Sequence, residues 1–207
     1  NYIWIKKYRV DILHLQQSFL HPLITNLLPM SDRPHVIMTL RGSETYLWPW
    51  VSRQWTEFFK NKSHQIDAFI VQSEDQRTYA RKAGIVDDKL IVIPASLPKE
   101  KFGPKQINPK EKMKILSVFR FTWEKNIQGN LLFIKKLKDI YPNIKYTIFG
   151  RGDVMNHSQI YYLAERLNIL DVIEINDRVA NDEMKKIYLD YNYLLQLSLS
   201  ESLGVSI

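Results

Sequence analysis

Short apolar runs of strand length recur along the chain. They lie at Val10–Leu15, His35–Leu40, Asp67–Gln72 and Leu90–Ile93, then at Lys114–Phe119, Lys145–Phe149, Val172–Ile175 and Tyr193–Leu197. The segments between them carry helical spacing: Tyr46–Phe59, Glu74–Ala83, Gln128–Ile140, Ser158–Asn168 and Asp182–Asp190. In the last of these Met184, Ile187 and Tyr188 recur at i, i+3 and i+4, one face of a helix. Ser73 before Glu74 and Asp75, and Asn181 before Asp182 and Glu183, read as helix caps followed by carboxylates that favour a helix N-terminus. Strands alternating with helices predict parallel sheets joined by right-handed crossovers, so the fold class is α/β.

The rhythm breaks once. Pro94–Lys112 is rich in proline and lysine, contains Gly103 and shows no apolar periodicity, which marks a linker. It divides the chain into two Rossmann-like units, 1–97 and 113–207, with 98–112 between them. Each unit is expected to be partial, because the first leads straight into a strand and the second stops mid-element at Ile207.

Composition adds exclusions. The 207 residues can bury a core, and 45% hydrophobic with 25% charged residues is ordinary for a globular protein. No apolar stretch is long enough to span a bilayer, and the N-terminus has no signal pattern. The absence of cysteine removes disulfides, thiolate metal sites and a cysteine nucleophile, and a reducing, cytoplasmic setting is the simplest reading. The net charge of +7 is spread, with 12 Lys and Arg against 9 Asp and Glu up to residue 97 and 17 against 13 beyond it. Without a basic run this argues against nucleic acid and suits phosphate-bearing substrates or an anionic membrane face.

Candidate chemistry sits where strands end, since ligands of open parallel sheets bind at the C-terminal strand edge. Lys114–Lys125 reads KILSVFRFTWEK and places Arg120 and Lys125 in a strand-to-helix loop. The two cations fit a diphosphate grip, Arg as a bidentate fork and Lys as a point charge; they equally fit solvated loop cations with Glu124 pairing one of them. Ser200–Gly204, SESLG, follows the last strand. It reads either as an anion-binding helix start with Glu201 accepting sugar or ribose hydroxyls, or as a plain helix cap at Ser200. Thr39–Glu44, TLRGSE, offers a Gly42 turn with Arg41 and Glu44 projecting toward the cleft, and Gly150–Arg151–Gly152 is a glycine loop of the same class. Tyr46–Phe59, with three tryptophans, fits a membrane-docking face or a buried helix. No Asp-x-Asp motif and no His/carboxylate cluster marks a metal site.

In order and spacing these segments resemble the retaining glycosyltransferases of the GT-B fold, glycosyltransferase family 4, over essentially the whole chain. Lys114–Lys125 resembles that family's ILSVGRLTWEKG, Tyr146–Gly152 its IVGxG, Ile173–Val179 its VxFxGxV and Leu197–Gly204 its SxxEGFG. Earlier, Val36–Glu44 resembles VVTLHGSD, Ile66–Ser73 resembles ADAIIAVS and Leu90–Phe102 resembles VIPNGVDLEKF.

The resemblance implies a C-terminal unit that binds a nucleotide-diphosphate sugar and an N-terminal unit on the acceptor side. It implies Arg120 and Lys125 on the donor diphosphate and Glu201 on the donor sugar as the first carboxylate of a Glu-x(7)-Glu motif, these three forming the catalytic set. Leu203 and Gly204 would offer amides to phosphate, Gly150 would belong to the donor loop, and Arg178 and Val179 would lie near the nucleobase. His14, Arg41, Gly42 and Glu44 would face a saccharide or lipid-linked saccharide acceptor. The implied reaction retains anomeric configuration, needs no metal or other cofactor, and belongs to cell-envelope or exopolysaccharide assembly at the inner face of the membrane. Several positions depart from the pattern: Ala95, Ser96 and Pro98 stand at usual Asn, Gly and Asp, Arg41 at a usual His, and Asp177 and Ser202 at usual glycines. The second motif glutamate would fall beyond Ile207, so this stretch alone is expected to be inactive. A non-catalytic GT-B-like subunit that binds a sugar nucleotide or a partner is the alternative reading. A sugar-nucleotide epimerase is a third, which the SESLG segment fits less well.

Overall fold

The computed structural model describes residues 2–96, 113–202 and 204. These fall into two compact units, the first made of 2–96 with 202 and 204, the second of 113–201. The expected linker 98–112 and Leu203 lie outside the described residues.

In the first unit β1 (Ile12–Leu15), β2 (His35–Thr39), β3 (Ala68–Val71) and β4 (Leu90–Val92) form a parallel sheet in the order β1-β2-β3-β4. The buried positions of β2 and β3, Val36, Met38, Phe69 and Val71, join Leu28, Phe59, Ile66 and Ala80 in one core. Its helices are α1 (Tyr2–Lys7), α2 (Ser43–Tyr46), α3 (Trp48–Val51), α4 (Arg53–Lys62) and α5 (Glu74–Lys82). Ser73 caps α5, its hydroxyl accepting from the Gln76 amide.

The helix expected over Tyr46–Phe59 is three helices. Leu47 and Ser52 leave helical geometry on either side of α3, and Pro49 sits in its first turn. A proline there has no N–H to offer the preceding turn, and its ring excludes a continuous helix through residue 45. The Trp50 indole N–H donates to the Thr45 carbonyl at 3.2 Å, which leaves Trp48 and Trp50 exposed while Trp55 is buried.

In the second unit β5 (Lys114–Arg120), β6 (Lys145–Arg151), β7 (Ile173–Asp177) and β8 (Tyr193–Leu194) form a parallel sheet in the order β7-β6-β5-β8. Helices α6 (Ile127–Ile140), α7 (Val154–Arg166) and α8 (Asn181–Leu189) alternate with its strands. A polar chain crosses the sheet: the Tyr146 hydroxyl donates to Ser117 Oγ at 2.9 Å, which donates to the Leu195 carbonyl at 2.6 Å. It ties β6, β5 and the end of β8 inside the core.

Three expectations shift here. Arg120 is the last residue of β5, paired with Arg151, rather than a loop residue. Helix α7 starts four residues before Ser158, because Asp153 and Asn156 form a reciprocal capping box. Asn181 is the first residue of α8 and not its cap, since Ala180 takes the extended N-cap conformation and makes no side-chain cap bond.

Candidate functional site

The C-terminal edge of the second sheet is a row. Register places Phe119 beside Gly150 and Gly150 beside Asp177, with Arg120 beside Arg151. Gly150 is required by close approach: a Cβ there would stand 2.1 Å from the Phe119 carbonyl oxygen and 2.4 Å from the Phe121 ring. Arg178 and Val179 follow β7 at one end of the row, Arg178 exposed and Val179 half-buried.

After β5 the chain makes a 3-10 turn, Trp123–Lys125, and enters α6 through Asn126, held in the left-handed region at φ 49°. After β8 the backbone leaves the sheet early, since Leu195 still bonds Leu116 but residues 197–201 turn away. That turn brings Glu201 to Lys125, 76 positions distant in sequence, in a salt bridge whose side chains are 28% and 14% exposed. The same carboxylate oxygen accepts from Gln196 Nε2 at 2.6 Å and Ser198 Oγ at 2.8 Å. Burial pushes the Glu201 carboxyl up, but the hydrogen bonds and charge of Lys125, with Ser198 and Gln196, outweigh it and hold the group below the ordinary carboxylate range.

Lys125 and Glu201 are therefore together, and Arg120 is not with them. Its side chain is 77% exposed and meets Glu124 at 4.0 Å, one turn of loop away from the pair. Gly204 is half-buried at the end of the described residues, and Leu203 lies outside them.

The first unit carries a second polar cluster where β1 and β2 end. His14 Nε2 meets Thr39 Oγ1 at 2.8 Å and its Nδ1 meets Gln16 Nε2 at 3.1 Å. Arg41 donates through Nη2 to Gln16 Oε1 at 3.1 Å and through Nε to the Gln16 carbonyl at 3.2 Å. The arginine fixes the amide with its oxygen toward the guanidinium, so its nitrogen donates to His14 Nδ1 and the imidazole proton lies on Nε2. Glu44 differs from expectation: it is 4% exposed and folds back to accept from the Arg41 amide at 3.2 Å. Gly42, at φ 136°, makes the turn that permits this. His14 and Arg41 are thus brought together through Gln16, and Gly42 and Glu44 shape the loop that holds Arg41.

Gln16, Asn126, Asn130 and Gln196 have no place among the sequence candidates, and Thr39 and Ser198 enter only within the segments Thr39–Glu44 and Leu197–Gly204. An asparagine directly before a helix was a readable sign for Asn126; the others carry no local signal. Among the described residues no group of three or more His, Asp or Glu side chains could hold a metal, and no helix is long and apolar enough to cross a membrane.

Two parallel-sheet Rossmann-like units with side chains gathered at their C-terminal strand edges define the α/β architecture of GT-B transferases. The chain belongs to the family described as glycosyl transferases group 1, which matches residues 98–207. No curated protein sequence matches it. Among solved structures it is similar to the sucrose-phosphate synthase of Thermosynechococcus elongatus (TM-score 0.79, 16% identity, covering 99% of this chain and 54% of that one). It is also similar to Anabaena HepE solved with UDP and glucose (0.75, 12%, 95% and 55%) and to the pneumococcal O-GlcNAc transferase GtfA solved with UDP and GlcNAc (0.67, 16%, 99% and 41%). The chain spans about half or less of the length of each.

Proposed function

We propose that this chain forms the core of a retaining glycosyltransferase of family 4 that moves a sugar from a nucleotide-diphosphate donor to a saccharide or lipid-linked saccharide. The observation that carries the reading is the Lys125–Glu201 pair at the C-terminal strand edge of a glycosyl transferases group 1 domain. From β7 through β6 to β5 the edge runs two strand spacings, about 10 Å, and the Lys125–Glu201 pair follows the end of β5, which suits an elongated ligand rather than a single anion. On this reading the nucleobase lies toward Arg178 and Val179, and the diphosphate passes Gly150, where no side chain stands in the way, to reach Lys125. Arg120, exposed and loosely paired, swings to the diphosphate when it binds.

The chemistry follows from charge. As the bond between the anomeric carbon and the leaving diphosphate oxygen breaks, negative charge grows on the diphosphate, and Lys125 and Arg120 stabilise it there without a metal. Glu201, kept ionised at neutral pH, accepts hydroxyls of the donor sugar and orients it. His14 and Arg41 serve the acceptor in the first unit, and Gly42 and Glu44 shape the loop that holds Arg41.

A cytoplasmic setting with peripheral contact to an anionic membrane belongs to the same reading, supported by the +7 charge and by exposed Trp48, Trp50 and Val51. Co-sedimentation with anionic vesicles should be lost in Trp48→Ala/Trp50→Ala, and unchanged pelleting would remove that part. The central test is calorimetric titration with UDP and GDP. One nucleotide should bind, and Arg120→Ala/Lys125→Ala should weaken it by more than about 2 kcal/mol. Unchanged binding in the double variant would sink the donor site as drawn here.

A further inference from the structure

The loop that carries Lys125 and the segment that carries Glu201 come from opposite ends of the second unit's sequence, and two asparagines join them. Asn126 turns its side chain over the first turn of α6. Its Oδ1 accepts from the Gly129 amide at 3.2 Å while its Nδ2 donates to the Leu197 carbonyl at 2.9 Å. Asn130, fully buried, donates from Nδ2 to the carbonyls of Lys125 at 3.0 Å and Asn126 at 2.9 Å, and its Oδ1 faces the Leu197 amide at 3.4 Å. One backbone bond, from Leu199 N–H to the Glu124 carbonyl at 2.8 Å, closes the set.

Each feature would be unfavourable without the others. A non-glycine residue at φ 49° is strained, and asparagine tolerates that region best among residues with side chains. A buried amide must satisfy its hydrogen bonds, and Asn130 does so only when both segments are present. Gly129 leaves the space the clamp occupies: a Cβ there would lie 2.3 Å from Asn126 Nδ2. Two unrelated asparagines and a glycine therefore converge on one geometric outcome, the separation between residues 124–126 and 197–199.

We propose that Asn126 and Asn130 are positioning residues that clamp the Lys125 loop to the 197–201 segment and so hold Lys125 and Glu201 in the arrangement a nucleotide-diphosphate sugar requires. The functional half of this inference rests on the donor-site reading above; the structural half does not. The clamp acts through Lys125 and touches no ligand itself.

A thermodynamic cycle separates positioning from general stability. Asn126→Gly keeps the left-handed backbone and removes the amide, while Gly129→Ala keeps the amide and displaces it. Each is combined with Lys125→Ala, and UDP and GDP affinities are read by calorimetry, with circular dichroism confirming that every variant is folded. The clamp predicts a loss of about fivefold for either variant in the parent background, the scale of one ordinary hydrogen bond, and of less than about twofold when Lys125 is already alanine. Equal losses in the two backgrounds, or none in either, would overturn it. If the parent chain binds neither nucleotide, the donor-site reading fails and the clamp is decided by titrating the Glu201 carboxyl with carbon NMR. Asn126→Gly and Gly129→Ala should then both move its midpoint up toward the ordinary carboxylate range; an unmoved midpoint rejects the clamp as well.

Discussion

Substituting Glu201→Gln separates two roles that the donor site assigns to one carboxylate. The amide oxygen can still accept from Lys125, Gln196 and Ser198, so the local geometry survives. What disappears is a negative charge beside the ammonium proposed to hold the diphosphate. Two oxygens hydrogen-bonded to one ammonium stand at most about 5.5 Å apart. At that distance two unit charges repel by about 3 kcal/mol at an effective dielectric near 20 and by about 0.8 kcal/mol in bulk water. With Glu201 28% exposed, screening at physiological salt leaves about 1 kcal/mol. Removing the charge should therefore tighten UDP or GDP binding about fivefold, and the gain should shrink as salt rises. The donor sugar, in contrast, loses an ionised acceptor for its hydroxyls, so any transfer measured should fall by at least about tenfold. Calorimetry with the bare nucleotide, beside a transfer assay, reads both signs. Nucleotide binding that is unchanged or weaker in Glu201→Gln would refute the claim that carboxylate and diphosphate share Lys125.

Three further outcomes follow from the cores. Ser117→Ala leaves both the Tyr146 hydroxyl and the Leu195 carbonyl without Ser117 and should cost about 2 kcal/mol, against about 1 kcal/mol for Tyr146→Phe, with the double variant costing less than their sum; urea unfolding of the three variants measures it, and strict additivity would contradict the network. The His21 imidazole, packed at a tilt against the Trp55 and Phe58 rings, is pushed below its ordinary value by burial, against the opposing hydrogen bond to the Ser18 carbonyl. Since the unfolded chain then binds the extra proton first, stability should be full above about pH 6.5 and decline below it. Urea midpoints at two pH values should show a smaller drop in His21→Phe than in the parent. Gly150→Ala would force the Phe119 carbonyl and the Phe121 ring aside, costing about 3 kcal/mol; a melting temperature within a degree or two of the parent would rule out that packing.

Much of the architecture was legible because strand and helix periods are local. The eight apolar runs correspond to the eight strands among the described residues, and Ser73 announced its helix by occupying an N-cap directly before two carboxylates. Lys125 and Glu201 were legible as residue types at the ends of strands. Pro49 was a readable sign of the break as well, since a proline can open a helix but not stand in its interior, although spacing alone reads Tyr46–Phe59 as one segment. By contrast, nothing local shows that Glu44 turns inward onto its own loop, that Arg120 stands apart from Lys125, or that Asn130 is buried against Leu197, 67 positions away. Which strand ends become neighbours depends on the sheet order β7-β6-β5-β8, and that order sets which side chains can satisfy one another. Periodicity along the chain determines what each segment can be. Only the order in which the strands assemble, where most buried polar groups find partners, decides which segments meet and therefore where the site lies.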